Sequence, residues 1–278
     1  MKQTITLLVF LFICTISLAQ KGEKLKGSKT VTTQDQPTPV FTDVYIQDDI
    51  EVSFIKADST GIETEADDNL HEALKVTNAG GVLNLSMANK ISRYKKFEVK
   101  IFYTDALKSI EAIDDSKVMI LEEMELDNVS FKLNNKAKLF LNLKAKVASF
   151  ELNDDSEVQL NAKSEKLIFI LTNSSTIKAL VAAQELKVDQ YQKSTSAFEG
   201  DVVELKLRMD NNAKFVGSKL TSKKAELLAE GYSDTKLQVE TSLILSAFAN
   251  AEIELFGEPS IELKKFTGKS LLKKNTLK

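Results

Sequence analysis

Two pairs of adjacent carboxylates, Asp114-Asp115 and Asp154-Asp155, are the residues of this chain best suited to acid–base work. A polysaccharide hydrolase needs two carboxyl groups facing one glycosidic bond, one to protonate the leaving oxygen and one to attack or to activate water. Cationic side chains that would steady developing charge are scarce, since Arg93, Arg208 and His71 are the only arginines and histidine. Asn and Asp clusters such as "NDDS" could also offer oxygen ligands to calcium. The G-G-x-G-x-D nonapeptide of calcium-binding β-rolls is absent, as are a P-loop, a dinucleotide fingerprint, CxxC and GxSxG. The sequence therefore assigns no catalytic residue, no metal ligand and no cofactor. The carboxylate pairs read first as solvated turn residues, and His71, beside Leu70 and Glu72, as a surface histidine.

The setting of those pairs explains them. "IDDSKVMI", "NNKAKLFL", "NDDSEVQL", "TNSSTIKA" and "DNNAKFVG" are versions of one unit. A small residue, any residue and an apolar residue recur at Ser116-Val118, Ala137-Leu139, Ser156-Val158, Ser175-Ile177, Ser196-Phe198, Ala213-Phe215, Thr235-Leu237 and Ala251-Ile253. The interval is about 19 residues, with units too short to bury an apolar face alone, so they must stack. A leucine-rich framework is not in register, and the units hold short alternating strands such as "KLFLNL" rather than helical faces. The expected fold is all-β: a parallel β-helix whose coils pair with those above and below.

In such a coil the small residue, the apolar residue and the one two further on share a face and point inward. Ile120, Leu141, Leu160, Ala179, Gly200, Gly217, Val239 and Leu255 occupy or adjoin the third place. Asn or Asp precedes every one of these small residues except Ser196, because their short side chains bond local backbone and tolerate the left-handed conformation of a tight corner. Upstream, "DVYIQDDIEVSF" and "KFEVKIFY" alternate as strands, and "ADDNLHEALKV" could hold one short helical turn.

The organisation read from the chain is a leader at 1–19, a flexible leash at 20–40, strands beginning the stack at 41–105, coils at 106–263 and a basic cap or tail at 264–278. Lys2, the apolar run "ITLLVFLFICTISLA" and small Ser17 and Ala19 form a secretory signal with cleavage after Ala19. Export through the general secretory pathway to the periplasm, outer-membrane surface or medium is the expected destination. Cys14, the sole cysteine, leaves with the leader, so the exported chain depends on packing without disulfides. Its formal charge moves from −3 to −4 with loss of Lys2, too mild to indicate nucleic acid. No membrane span is expected after cleavage.

The stretches "VFTDVYIQDDIEVSFIKAD", "ETEADDNLHEALKVTNAGGVLNLSM" and "FEVKIFYTDALKSIEAIDDSKV", with the returning small-x-apolar coils, resemble the bacterial auto-transporter adhesin head GIN domain family. The resemblance implies a right-handed β-helix and an export signal. It carries over no site residues, and the corners here are Asn/Asp-rich where relatives use glycine-rich "SGSS"-like ones.

The functional expectation is a non-catalytic exported binding or adhesion module of the cell envelope, not an enzyme. Its partner would be a glycan or an envelope protein lying against an outward ladder of Lys117, Lys138, Glu157, Lys214, Lys236 and Glu252. The alternatives are a carbohydrate-active enzyme using the aspartate pairs and a purely structural envelope protein. In the six-lysine ending after Glu262, Ile261, Leu263 and Phe266 are expected to close the last coil while lysines keep its edge soluble, the alternative being a basic tail drawn to anionic lipopolysaccharide or glycans.

Overall fold

The computed structural model describes residues 24–276, so the leader and its cleavage point lie outside the described residues. Parallel coils stack into a β-solenoid of about nine turns. Seven long strands, Lys117–Leu133, Lys138–Leu152, Glu157–Leu171, Thr176–Gln190, Thr195–Met209, Lys214–Ala229 and Asp234–Ala247, each run most of the way round one coil. Alternation dictates their shape. In Lys138–Leu152 the residues Leu139, Leu141, Leu143 and Ala145 are buried, then Lys146 and Val147 both face out, and Ala148, Phe150 and Leu152 are buried again. A strand side chain changes face at every residue. Two successive outward residues therefore mark a bend, and Lys146 is also skipped in the pairing to the next coil.

The other bend is the expected Asn/Asp corner. Asp114, Asn135, Asp154, Asn173, Gln192, Asn211, Gly231, Ala249 and Gly268 stack there with φ between 58° and 77°, above Asp48 at 70°. Asn and Asp reach that left-handed region with least strain. Inside the corner the small column is Ser116, Ala137, Ser156, Ser175, Ser194, Ala213, Ser233 and Ala251, each almost wholly buried.

This column corrects the expected one in two coils. Thr176 pairs with Thr195 and Ile177 with Ser196, so Ser194 is the small residue and Ser196 stands in an apolar place. Likewise Phe215 pairs with Thr235, and Ser233 takes the corner. Volume exchanged along and across the core explains the slip. Phe131, Phe150 and Phe169 share a register column and stack with centroids 4.9 and 4.7 Å apart. The column continues as Val188, and Ala179 lies in the same coil. Phe198 leans into the space these small residues leave and meets Phe169 edge-on at 5.2 Å. Phe215 then stacks on Phe198 at 5.7 Å. Its ring fills the place beside Gly217, where a Cβ would lie 2.4 Å from the ring edge.

The N-terminal end is closed. Asp43–Ile46 and Glu51–Lys56 make a first coil, with Ser109–Ala112 and the start of Lys117–Leu133 on one side and Val82–Met87 and Phe97–Tyr103 on the other. Antiparallel strands Leu74–Ala79, Gly61–Asp67 and Val31–Pro37 then cover that end. The expected leash is thus corrected over much of its length: Val31–Pro37 is an edge strand, and Leu25–Lys26 pairs with Ile91–Ser92. Its Thr/Gln texture hid the pairing, because an edge strand with both faces wet needs no apolar alternation. Among the described residues Asp68–Ala73 forms the one short 3-10 helix, burying Leu70.

Buried Asp67 ties this end together by accepting the backbone N–H groups of Lys29 (2.8 Å), Lys95 (3.0 Å) and Lys96 (3.1 Å). Burial pushes its carboxyl pKa up, but these donors outweigh burial and hold it below the usual value. His71 is also buried, its Nε2 2.9 Å from the Thr32 hydroxyl, which corrects the surface reading.

At the other end Ser260–Phe266 pairs with the second half of Asp234–Ala247, and Leu271–Asn275 pairs with Glu252–Phe256. Ile261, Leu263 and Phe266 continue the columns of Leu243, Leu245 and Ala247, which are fully buried. They are 43%, 54% and 39% exposed, so among the described residues nothing covers them.

Candidate functional site

One carboxylate of each pair, Asp114 and Asp154, is drawn into the corner, while Asp115 and Asp155 beside them are exposed. Asn135 lies between Asp114 and Asp154 in the stack. Its side-chain amide donates to Asp114 Oδ1 at 2.8 Å, while its backbone N–H faces Asp154 Oδ2 at 3.4 Å. The Asn173 amide donates to Asp154 Oδ1 at 2.8 Å, and the Gln192 side chain accepts the Asn173 N–H at 2.6 Å. One residue earlier in each coil, Asn134, Asn153 and Thr172 form a second ladder: Asn153 donates to Asn134 at 3.0 Å and Thr172 to Asn153 at 2.7 Å. Alternating donors and acceptors across coils serve to lock the corners.

The expected charged ladder is partly assembled. Lys117, Lys138, Glu157, Lys214 and Glu252 share one outward column, together with Thr176, Thr195 and Asp234. Lys236 does not belong to it. It sits two residues on, in the column of Val216, because of the same register slip that displaced Thr235. The ladder is also largely matched with itself: Lys117 pairs with Glu51 at 3.3 Å, Lys138 with Glu157 at 3.7 Å, Lys214 with Asp234 at 3.2 Å and Lys236 with Glu254 at 3.1 Å. Such exposed pairs stabilise little, but they leave the column little free charge.

A larger feature lies at the second bend. There a trough of about 730 Å³ runs across the coils from Glu125 to Glu240. Seven coils at the spacing of paired strands give it a length of about 29 Å. Its floor is the register column Leu126, Ala145, Ser164, Ala183 and Val202, mostly small residues. One wall is Glu125, Lys144, Lys163, Ala182, Asp201 and Thr221; the other is Asp127, Lys146, Glu165, Gln184, Val203 and Lys223. The second wall consists of residues skipped in the pairing, whose side chains turn outward at the bend.

Charge varies along the trough. At its start Lys144 meets Glu125 at 2.6 Å and Lys146 meets Asp127 at 2.9 Å. The Lys144 hydrogen bond holds the Glu125 carboxyl below its usual pKa, and Glu125 and Asp127 raise the two lysines. Further along, Lys163 and Lys223 have no carboxylate within salt-bridge distance among the described residues. The Ser164 hydroxyl is held by the Lys146 and Lys166 carbonyls at 2.9 and 3.1 Å. The arrangement offers one side chain per wall per coil over a rigid, shallow floor.

The family model described as "Putative auto-transporter adhesin, head GIN domain" matches residues 40–180 and again 146–259. The chain belongs to this family. Solved structures similar to it include a putative adhesin from Parabacteroides distasonis, at 15% identity and TM-score 0.66, covering 91% of this chain and 100% of that one. A putative adhesin from Parabacteroides merdae matches at 15% and 0.61, covering 91% and 99%. A putative lipid binding protein from Parabacteroides distasonis matches at 13% and 0.60, covering 91% and 100%. At these identities the likeness concerns the fold. No curated protein matches the chain.

In this head GIN domain protein the trough was not found from sequence. Its bend uses no Gly or Pro and an Asn only at Asn128, and the available signal is a slip in alternation, as in Ala145-Lys146-Val147-Ala148, repeated in successive coils.

Proposed function

We propose that this protein is an exported, non-catalytic binding module of the cell envelope or surface, which holds an extended polymer, a glycan or a protein segment, along the trough. The observation that carries the reading is the trough's regularity across seven coils, with wall positions fixed by the strand spacing. Each wall contact is weak, and weak contacts add to useful affinity when a rigid scaffold holds them in place at little entropic cost. Membership of an adhesin family supports surface display, and among the described residues no helix is long and apolar enough to cross a membrane.

The aspartate pairs belong to the other bend, where Asp114 and Asp154 accept bonds from the corner ladder, and this favours binding over hydrolysis. A glycan array run beside a polysaccharide-degradation assay tests the reading. Binding should appear without product and fall in K163E/K223E at unchanged melting temperature. Product formation abolished by Asp154→Asn and Asp155→Asn would overturn it in favour of the enzyme.

A further inference from the structure

The solenoid's two ends differ in a way that its sides do not. The N-terminal end is sealed by antiparallel strands, whereas the C-terminal tip presents Ile261, Leu263, Phe266 and Leu271 at 39–54% exposure. Lysines surround these apolar groups: Lys264, Lys265, Lys269, Lys273 and Lys274, against Glu258 and Glu262. Lys264 is matched by Glu262 at 2.5 Å and Lys274 by Glu258 at 3.0 Å. Lys265, Lys269 and Lys273 have no carboxylate within salt-bridge distance among the described residues. On the sides of the stack, by contrast, lysines such as Lys144 and Lys214 are answered by acids in adjacent coils.

An open sheet end invites another strand, but this one resists it. Lys274 pairs with Leu255 in register and so places a charge in an inward column. A register break between Leu263 and Lys265 pushes Lys264 out of the edge ladder. Inward charges and edge irregularities are devices that block strand addition. A second copy docked tip to tip would also set lysines against lysines. The fitting occupant has negative charge at its surface, apolar depth behind it and no strand geometry.

We infer that the tip docks on the surface of an anionic lipid bilayer. The four apolar side chains enter the interface, and the unpaired lysines lie among the headgroups. Such a combination of exposed apolar groups and a basic rim is how a protein binds a membrane surface without spanning it. Contact stays at headgroup depth, because the unpaired backbone of the last strands needs water or headgroup partners. Docking end-on leaves the trough along the side free.

The test is flotation of the full exported chain with phosphatidylcholine vesicles, with and without phosphatidylglycerol. Binding should require the anionic lipid and weaken as salt rises. Each neutralisation among Lys265→Gln, Lys269→Gln and Lys273→Gln should weaken it by about fivefold. Leu263→Ser combined with Phe266→Ser should weaken it without a large loss of folding, since both groups are already substantially exposed. K163E/K223E should float like the parent, which separates this inference from the trough. Equal flotation with neutral vesicles, no flotation at low salt, or tip variants that bind like the parent would each overturn it. So would light scattering that shows a dimer dissociated by Leu263→Ser, which would make a second copy the occupant.

Discussion

Gly217 and Phe215 offer the sharpest test of the core. A Cβ added at Gly217 would lie 2.4 Å from Phe215 Cε1, 3.0 Å from its Cζ and 3.3 Å from the Lys236 carbonyl oxygen. Contacts to the ring would force Phe215 off its stack with Phe198, and overpacking of this kind costs about 1–3 kcal/mol. Gly217 does not lie in the left-handed region, so alanine gains back about 0.4–1 kcal/mol by restricting the unfolded chain. Gly217→Ala alone should therefore destabilise by about 1–2 kcal/mol. Phe215→Leu alone loses ring contact and leaves a void, at about 1–2 kcal/mol. Combined, the smaller Leu yields the space that the new methyl needs, and the pair should be less destabilised than the sum by about 1 kcal/mol. Urea unfolding should be read alongside hydrogen exchange over 214–229, because a stacked repeat can open locally before it unfolds globally. Strict additivity within about 0.5 kcal/mol would refute the claim that the Phe215 ring occupies the Gly217 side-chain place.

Other consequences follow from the same geometry. Ser156 is fully buried and its hydroxyl has no hydrogen-bond partner, so Ser156→Ala should leave stability unchanged or raised, whereas Ser156→Leu should cost about 1–3 kcal/mol by overpacking. Glu157→Leu beside it should change the urea midpoint little, and equal midpoints for the two leucine variants would contradict the inward column. The Asp67 carboxyl is held below its unfolded pKa, so its contribution is complete above about pH 4 and fades as pH falls through the lowered native value. Hydrogen exchange at 25–30 and 91–97 should quicken on acidification in the parent, while Asp67→Asn should show fast exchange there already at pH 7. Intact mass of chain recovered from expressing cells should correspond to a start at Gln20, as the small residues at 17 and 19 dictate; a retained leader would contradict that cleavage.

What the sequence disclosed depended on whether a position is governed by local chemistry. The Asn/Asp corners were legible because a left-handed φ selects residues one at a time, as at Asn135, Asp154, Asn173 and Asn211. Gln192 and Ala249 adopt the same φ without that preference, held by backbone bonds such as Lys193 to Asn173 and Lys269 to Ala249. The Gln192 corner was therefore missed, and the Ala249 corner was marked only by its neighbour Asn250. The register of Ser196 and Thr235 was not legible. A pattern of small-x-apolar looks for size at one position, whereas the core conserves volume among several: Ser196 is followed by Phe198, and Phe215 by Gly217. A two-residue slip preserves strand parity, so inward residues remained inward and the fold class survived the error.

The same parity argument explains why the expected ladder and the trough fared differently. Lys236 remained an outward residue after the slip but entered another column, so face was predictable where neighbourhood was not. The trough depends on a place where parity itself fails. Between Ala145 and Ala148 two residues face out, and their counterparts Glu165 and Lys166 do so in the next coil. Each slip alone resembles an irregular strand, and stacked at one spacing the slips bend every coil and open a continuous channel. Substituting one bend residue should therefore alter one rung of the trough rather than remove it. Lys163→Glu and Lys223→Glu, three coil intervals apart at their respective walls and beyond direct contact, should weaken a polymer that bridges both by amounts whose free energies approximately add. Loss of all binding with either substitution alone would point to a compact site at that residue and against an extended ligand.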